Sequence, residues 1–199
     1  MIWPYTMGRC EKRTHALIDQ WLPEGAFMLE HHGMDMSAPP ARALAATTQL
    51  ALNALPFVRV LFALRGIPHR GEMTLGKMFS NKPFLLLDED VGRELVFGIV
   101  GPFWDLRRGH MPADIPDSPG EFREAMKGGR VAAIGNFRVD PAHDGSRRST
   151  RVWTETWAWS PQLIPTVLFT AYWLAIGPWS AWIRRMFLNE ARRQAQEAQ

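Results

Sequence analysis

Between positions 163 and 183 lie 21 residues without one charged side chain. A stretch of that length has two homes. It is either a helix laid against an apolar surface or a membrane span, for which about 20 apolar residues suffice. Leu168, Phe169, Tyr172, Trp173 and Ile176 recur at the three-to-four spacing of a buried helical stripe. Pro161 suits a first helical turn, where its missing N–H would be unpaired anyway, and Pro165 falls near that turn. Gly177-Pro178 is different, because a proline inside a helix removes a hydrogen bond and crowds the preceding turn. A kink or break is expected there, leaving two helical pieces. The pair Arg184-Arg185 ends the run, followed by a polar tail over 189–199. Flanking tryptophans and an arginine pair are also what a membrane interface carries.

The rest of the chain weighs against a span. Upstream segments with strand patterning need a helix to cover their apolar face, and Gly177-Pro178 interrupts the run. With 199 residues, 46% of them hydrophobic, the chain is large enough for one well-buried core without disulfide staples. Cys10 is the only cysteine, which excludes an internal disulfide and gives an oxidising compartment no support. No apolar core of a secretory signal stands near the start, so the cytoplasm is the expected location. Twenty-three basic and 20 acidic side chains leave a net charge of +3, a small excess and not a dedicated nucleic-acid surface.

Taken in order, 1–23 reads as an N-terminal arm, and 24–199 as one domain. Alternation over 25–36 predicts a strand with Met28, Glu30, His32, Met34 and Met36 on one face and Phe27, Leu29, His31 and Asp35 on the other. Ser37-Ala38-Pro39-Pro40 stops it and starts a helix over 41–52, and a second helix is expected over 57–65. A connection over 66–83 follows. Strands are predicted at 84–87 and 94–104, separated by the acidic turn Asp88-Glu89-Asp90. Gly98 and Gly101 inside the second of these mark a bulge or a close approach of backbone or ligand. A proline-bearing loop over 105–120 leads to one helical turn at 121–126, a strand at 131–139, hairpin chemistry at 140–146 and a last strand at 147–159.

Strand, two helices, antiparallel strands and a long C-terminal helix together resemble the helix-grip fold of the START and pollen-allergen superfamily, also called SRPBCC. The residues that carry the resemblance are Met34-Asp35-Met36-Ser37-Ala38-Pro39-Pro40 before the first helix and the glycine-interrupted segment 94–104. Asn136-Phe137-Arg138-Val139, Thr154-Glu155-Thr156, Tyr172-Trp173 and Ile183-Arg184-Arg185 complete it, in a pattern similar to a bacterial subgroup without an assigned activity. The resemblance spans roughly 24–193. It implies an α+β fold, a curved antiparallel sheet wrapped around the C-terminal helix, with an apolar cavity between them. Members bind lipids, sterols or polyketides, and some catalyse cyclisation, aldol or dehydration chemistry. Fold does not fix function.

Few residues carry recognisable chemistry. His31 and His32 are neighbours on a strand, so their rings point to opposite faces and do not chelate one metal. Glu30 and His32 share a face and form an acid–base pair if that face is the cavity's, against the plainer reading of a local hydrogen bond at an exposed strand end. Tyr172 would add a proton donor, and Tyr172 and Trp173 otherwise read as core. If Thr154 and Thr156 point inward, then Arg151, Trp153, Glu155, Trp157 and Trp159 share the other face. That row of tryptophans needs a cover, which the N-terminal arm, a homodimer or a ligand would supply. Arg107-Arg108 and Arg147-Arg148 read as solvated turn residues, and no phosphate-loop, zinc or nucleophile-elbow spacing occurs.

Three functions follow. The first is a binding domain for a small apolar molecule, its cavity lined by Met28, Met34, Phe97, Trp104, Phe137, Thr154, Tyr172 and Trp173. The second is a cyclase or dehydratase of the polyketide-cyclase type working through His32, Glu30 or Tyr172. The third is attachment to a membrane through 163–183, with weaker contact between Arg pair, tryptophans and lipid as its milder form. No cofactor, metal or nucleic-acid partner is expected.

Overall fold

A computed structural model describes residues 16–52, 73–101, 115–141 and 149–197. The expected helix at 57–65, Trp104 at the end of the strand expected over 94–104, and the hairpin residues 142–148 lie outside these residues, as does most of the N-terminal arm.

Five strands form one antiparallel sheet: β1 (Phe27–Met36), β2 (Leu85–Asp90), β3 (Glu94–Val100), β4 (Ala132–Pro141) and β5 (Thr150–Trp159). Their spatial order is β1-β5-β4-β3-β2, so β1 and β2 are the edges. Four described helices accompany them: α1 (Pro40–Thr48), the short α2 (Leu75–Phe79), α3 (Pro119–Lys127) and α4 (Leu163–Glu197). The fold is therefore α+β, with a five-stranded antiparallel sheet and a long C-terminal helix packed on it. Thr74 and Ser118 cap α2 and α3 by accepting from Lys77 N and Glu121 N, leaving fewer unpaired N–H groups at those helix starts.

Both faces of the sheet are buried. On the inner face Leu95, Phe97, Phe137, Val139 and Val152 meet α1, α2 and the C-terminal half of α4. Phe79 stacks on Phe97, with ring centroids 3.7 Å apart, and touches Phe137 and Phe84. On the outer face Val96, Val100, Ala132 and Ile134 are covered by α3 and by the segment from Ala16 to Trp21, which contains a 3-10 turn (Leu17–Gln20). Trp157 and Trp159 pack against this cluster, so the chain itself supplies the cover for that part of the tryptophan row.

Several local expectations give way to packing. Helix α4 continues through Pro178, so the chain does not break there into two helices. Pro178 sits on the exposed side, so the Leu174 carbonyl that it leaves without an N–H partner is turned towards solvent, where such a loss costs least. Asp88, Glu89 and Asp90 belong to β2, and the turn falls at the next three residues. Gly98 is no bulge, since the β3–β4 register runs without a shift. A Cβ there would stand 2.5 Å from the Phe122 ring, so the glycine admits α3 against the sheet.

A bulge does occur in β1. Met28 pairs with Trp157 and Glu30 with Thr156, which places Leu29 as the extra residue. Its effect is a phase change. Phe27 and Leu29 cluster with Ala158 and Phe169 under α4, whereas Met28 faces outward opposite Trp157. The expectation that Met28 lines the inner face is thereby corrected. From Glu30 onward the predicted alternation holds: Glu30, His32, Met34 and Met36 lie opposite Thr156, Thr154, Val152 and Thr150.

Candidate functional site

Between the β1–β5 pair and the middle of α4, the inner face changes from apolar to polar. Strand pairing brings Glu30 beside Thr156 and His32 beside Thr154, and Ser180 and Arg184 stand one helical turn apart on the helix above them. Arg184 Nε donates to Glu30 Oε2 at 2.7 Å, and Ser180 Oγ donates to the same oxygen at 3.1 Å. The remaining arms of the guanidinium reach across to β5, where Nη1 donates to Thr154 Oγ1 and Nη2 to Thr156 Oγ1. One arginine thus ties α4 to both strands. Removing one member of such a buried pair costs about 3–5 kcal/mol, because the other charge is left stranded.

The carboxylate is used unevenly. Glu30 is 2% exposed; Oε2 accepts two hydrogen bonds, while Oε1 is buried with none. Burial pushes the Glu30 carboxyl above its ordinary range, against the pull of Arg184 and Ser180. His32 Nε2 is likewise buried without a partner. Burial first, then the charges of Arg184, Arg185 and His31, hold the His32 pKa down to about 4, so its ring is neutral at pH 7. The inner face therefore presents two unused polar atoms on alternate residues of one strand, beside a fixed guanidinium.

Apolar groups flank this polar patch on both sides. Towards the N-terminus of α4 stand Phe27, Leu29, Phe169, Tyr172 and Trp173, and towards its C-terminus stand Met36, Val152, Phe187 and Leu188. Of the expected lining residues, Thr154 is at the centre, Met34 is on the inner face near Arg192, and Tyr172 and Trp173 are half-buried in the first flank. Phe97 and Phe137 are part of the aromatic core with Phe79. Tyr172 stands in the first flank with Leu29 and Phe169, eight residues and about 12 Å along the axis before Ser180.

Arg184, Ser180 and Thr156 were not among the expected site residues. Arg184 was read as the flank of an apolar run. The signal was the helical phase: continuing the stripe of Phe169 and Trp173 by further turns lands on Ser180 and Arg184, and then on the buried Ala191 and Ala195.

On the outer face, Glu155 is 1% exposed and accepts from Trp157 Nε1 at 3.0 Å, with His31 Nε2 3.8 Å from its other oxygen. His31 stacks on Trp153, and Arg151 lies over the same indole. His31 and His32 thus do point to opposite faces. Among the described residues no group of three or more His, Cys, Asp or Glu side chains is placed to hold a metal ion. No described helix is long and apolar enough to cross a membrane, which counts against 163–183 as a span.

No protein-family model matches the chain, and no curated protein matches it.

Proposed function

We propose that the chain binds a small, largely apolar molecule between the β1–β5 pair and α4, with a polar end held at Glu30 and His32. The observation that carries this reading is the pair of buried, unpartnered atoms, Glu30 Oε1 and His32 Nε2, facing the same helix between two apolar flanks. A buried polar atom left without a partner costs about 1–3 kcal/mol, and a ligand hydroxyl or amide hydrogen-bonded to it would remove that cost. Neutral His32 offers an acceptor or a donor according to tautomer, and Glu30 Oε1 offers an acceptor. The fold reading that goes with this function is the helix-grip one; the sheet and long C-terminal helix support it.

The test is native mass spectrometry of the purified chain, followed by denaturing analysis of whatever is released. A co-purifying apolar metabolite is expected, its occupancy reduced in H32F and E30Q. A wild-type chain that carries no small molecule, and takes up none from a total lipid and metabolite extract, overturns the reading.

A second reading has one specific observation in its favour. Burial displaces Glu30 upward and His32 downward, and perturbed titratable groups gathered beside a fixed charge are a feature of active sites. A cyclase or dehydratase would take a proton at His32 Nε2 and keep Glu30 with Arg184 as the charged partner. H32F then abolishes turnover while the molecule still binds.

A further inference from the structure

The outward side of α4 falls into two unlike halves. From 167 to 182 every exposed position is apolar, with Val167, Leu168, Leu174, Trp179 and Trp182 the large ones. Trp179 is 53% exposed and Trp182 40%, their rings edge to face at 6.5 Å. This half is about 22 Å long at 1.5 Å per residue. One turn beyond Trp182 the same side becomes polar: Arg185, Asn189 and Arg192 are exposed, with Arg192 at its edge, its Nη1 3.9 Å from Met34 Sδ, and among the described residues neither arginine is in an ion pair. The opposite side of the helix is occupied by the sheet.

We propose that this side of α4 docks the protein onto the surface of an anionic lipid bilayer, lying in the interface and not across it. Large apolar side chains would enter the acyl boundary, the tryptophans would sit at headgroup level where their rings are both apolar and N–H donors, and Arg185 and Arg192 would meet lipid phosphates. A net charge of +3 adds long-range attraction to such a surface. Charge decides against a second copy as occupant. In an antiparallel pairing of two such helices the arginines of one would face the N-terminal half of the other, and α4 carries no carboxylate before Glu190.

The test is co-sedimentation of the full chain with vesicles of phosphatidylcholine alone or with one-third phosphatidylglycerol, alongside light scattering of the lipid-free protein. The expected result is binding to the anionic vesicles only, weakened by salt. Binding should fall about tenfold in W179Q/W182Q, from lost apolar burial, and about fivefold in R185E, from lost headgroup attraction. Leu174→Gln tests the same face should the tryptophan variant misfold. Three results overturn the proposal: no sedimentation with either vesicle, binding unaffected by every one of these variants, or a lipid-free dimer that those variants dissociate. Leu174, Trp179 and Trp182 lie on the exposed side of α4 and Arg185 acts on His32 through its charge, so the tryptophan and Leu174 variants test this face separately from the small-molecule reading.

Discussion

His32 is neutral where an ordinary histidine would begin to charge, because its ring is buried beside Arg184 and within the field of Arg185. That has a consequence for stability. The folded pKa, about 4, lies below the unfolded value of 6.5, so between these limits the unfolded chain binds a proton that the folded chain refuses. Stability therefore falls as pH drops from 6.5 towards 4 and is unaffected by this group below that. After allowance for solvent screening the loss is about 2 kcal/mol. Urea denaturation of wild type and His32→Gln across this range should show the slope in the first and a flatter curve in the second; identical slopes would mean that His32 does not set it. Glu30 and His32 were legible in the sequence because two residues on a strand share a face. Arg184 was not, since it meets Glu30 across a separation that no local pattern reports, and its charge looked like the end of an apolar run when it was in fact the polar centre of the buried stripe.

At the scale of elements, the strands from β3 onward and the long helix were legible because their periodicities run over many residues. Errors arose where one residue changes the phase. The bulge at Leu29 reverses the faces of Met28 and everything before it, and nothing in the alternation of apolar side chains marks it. Pro178 looked like a break because sequence alone does not say which side of a helix meets solvent. Gly98 was legible as a close approach, though the visitor is an aromatic ring from α3 and no ligand. Phe122 is fully buried, and Leu87 Cδ1 would stand 2.9 Å from the same Cβ, so the added methyl meets two side chains at once. Gly98→Ala is expected to destabilise the protein by about 1–3 kcal/mol through overpacking. Combining it with Phe122→Leu should recover part of that loss, read as the midpoint of thermal unfolding. A Gly98→Ala variant as stable as wild type would show that α3 shifts freely on the sheet.

For the whole molecule, the sheet has two buried faces, but they are closed by different means. The inner face is closed by α4, continuous in chain with β5 and fastened by Arg184. The outer face is closed by α3 and by the short segment before β1, which must be held onto the sheet. Glu94 does that work: its carboxylate accepts from Leu17 N at 2.7 Å and Ile18 N at 3.2 Å, capping the 3-10 turn from across the fold. Asn136 Nδ2 fixes the same carboxylate at 2.7 Å, and Asn136 Oδ1 accepts from Glu155 N, linking β3, β4 and β5 beneath the segment. Glu94→Ala leaves those N–H groups unpaired above an apolar surface, at a cost of about 1–3 kcal/mol. That cost should loosen the segment first, since its other polar ties, Trp21 Nε1 donating to Asp88 Oδ2 at 3.4 Å and Arg123 Nη1 donating to Gln20 O at 3.3 Å, are long. Hydrogen exchange is then expected to accelerate at Leu17, Ile18 and Trp21 while β4 and β5 keep their protection. Equal acceleration throughout would instead make this segment part of the sheet's own cooperative unit, and its capping carboxylate a determinant of global stability.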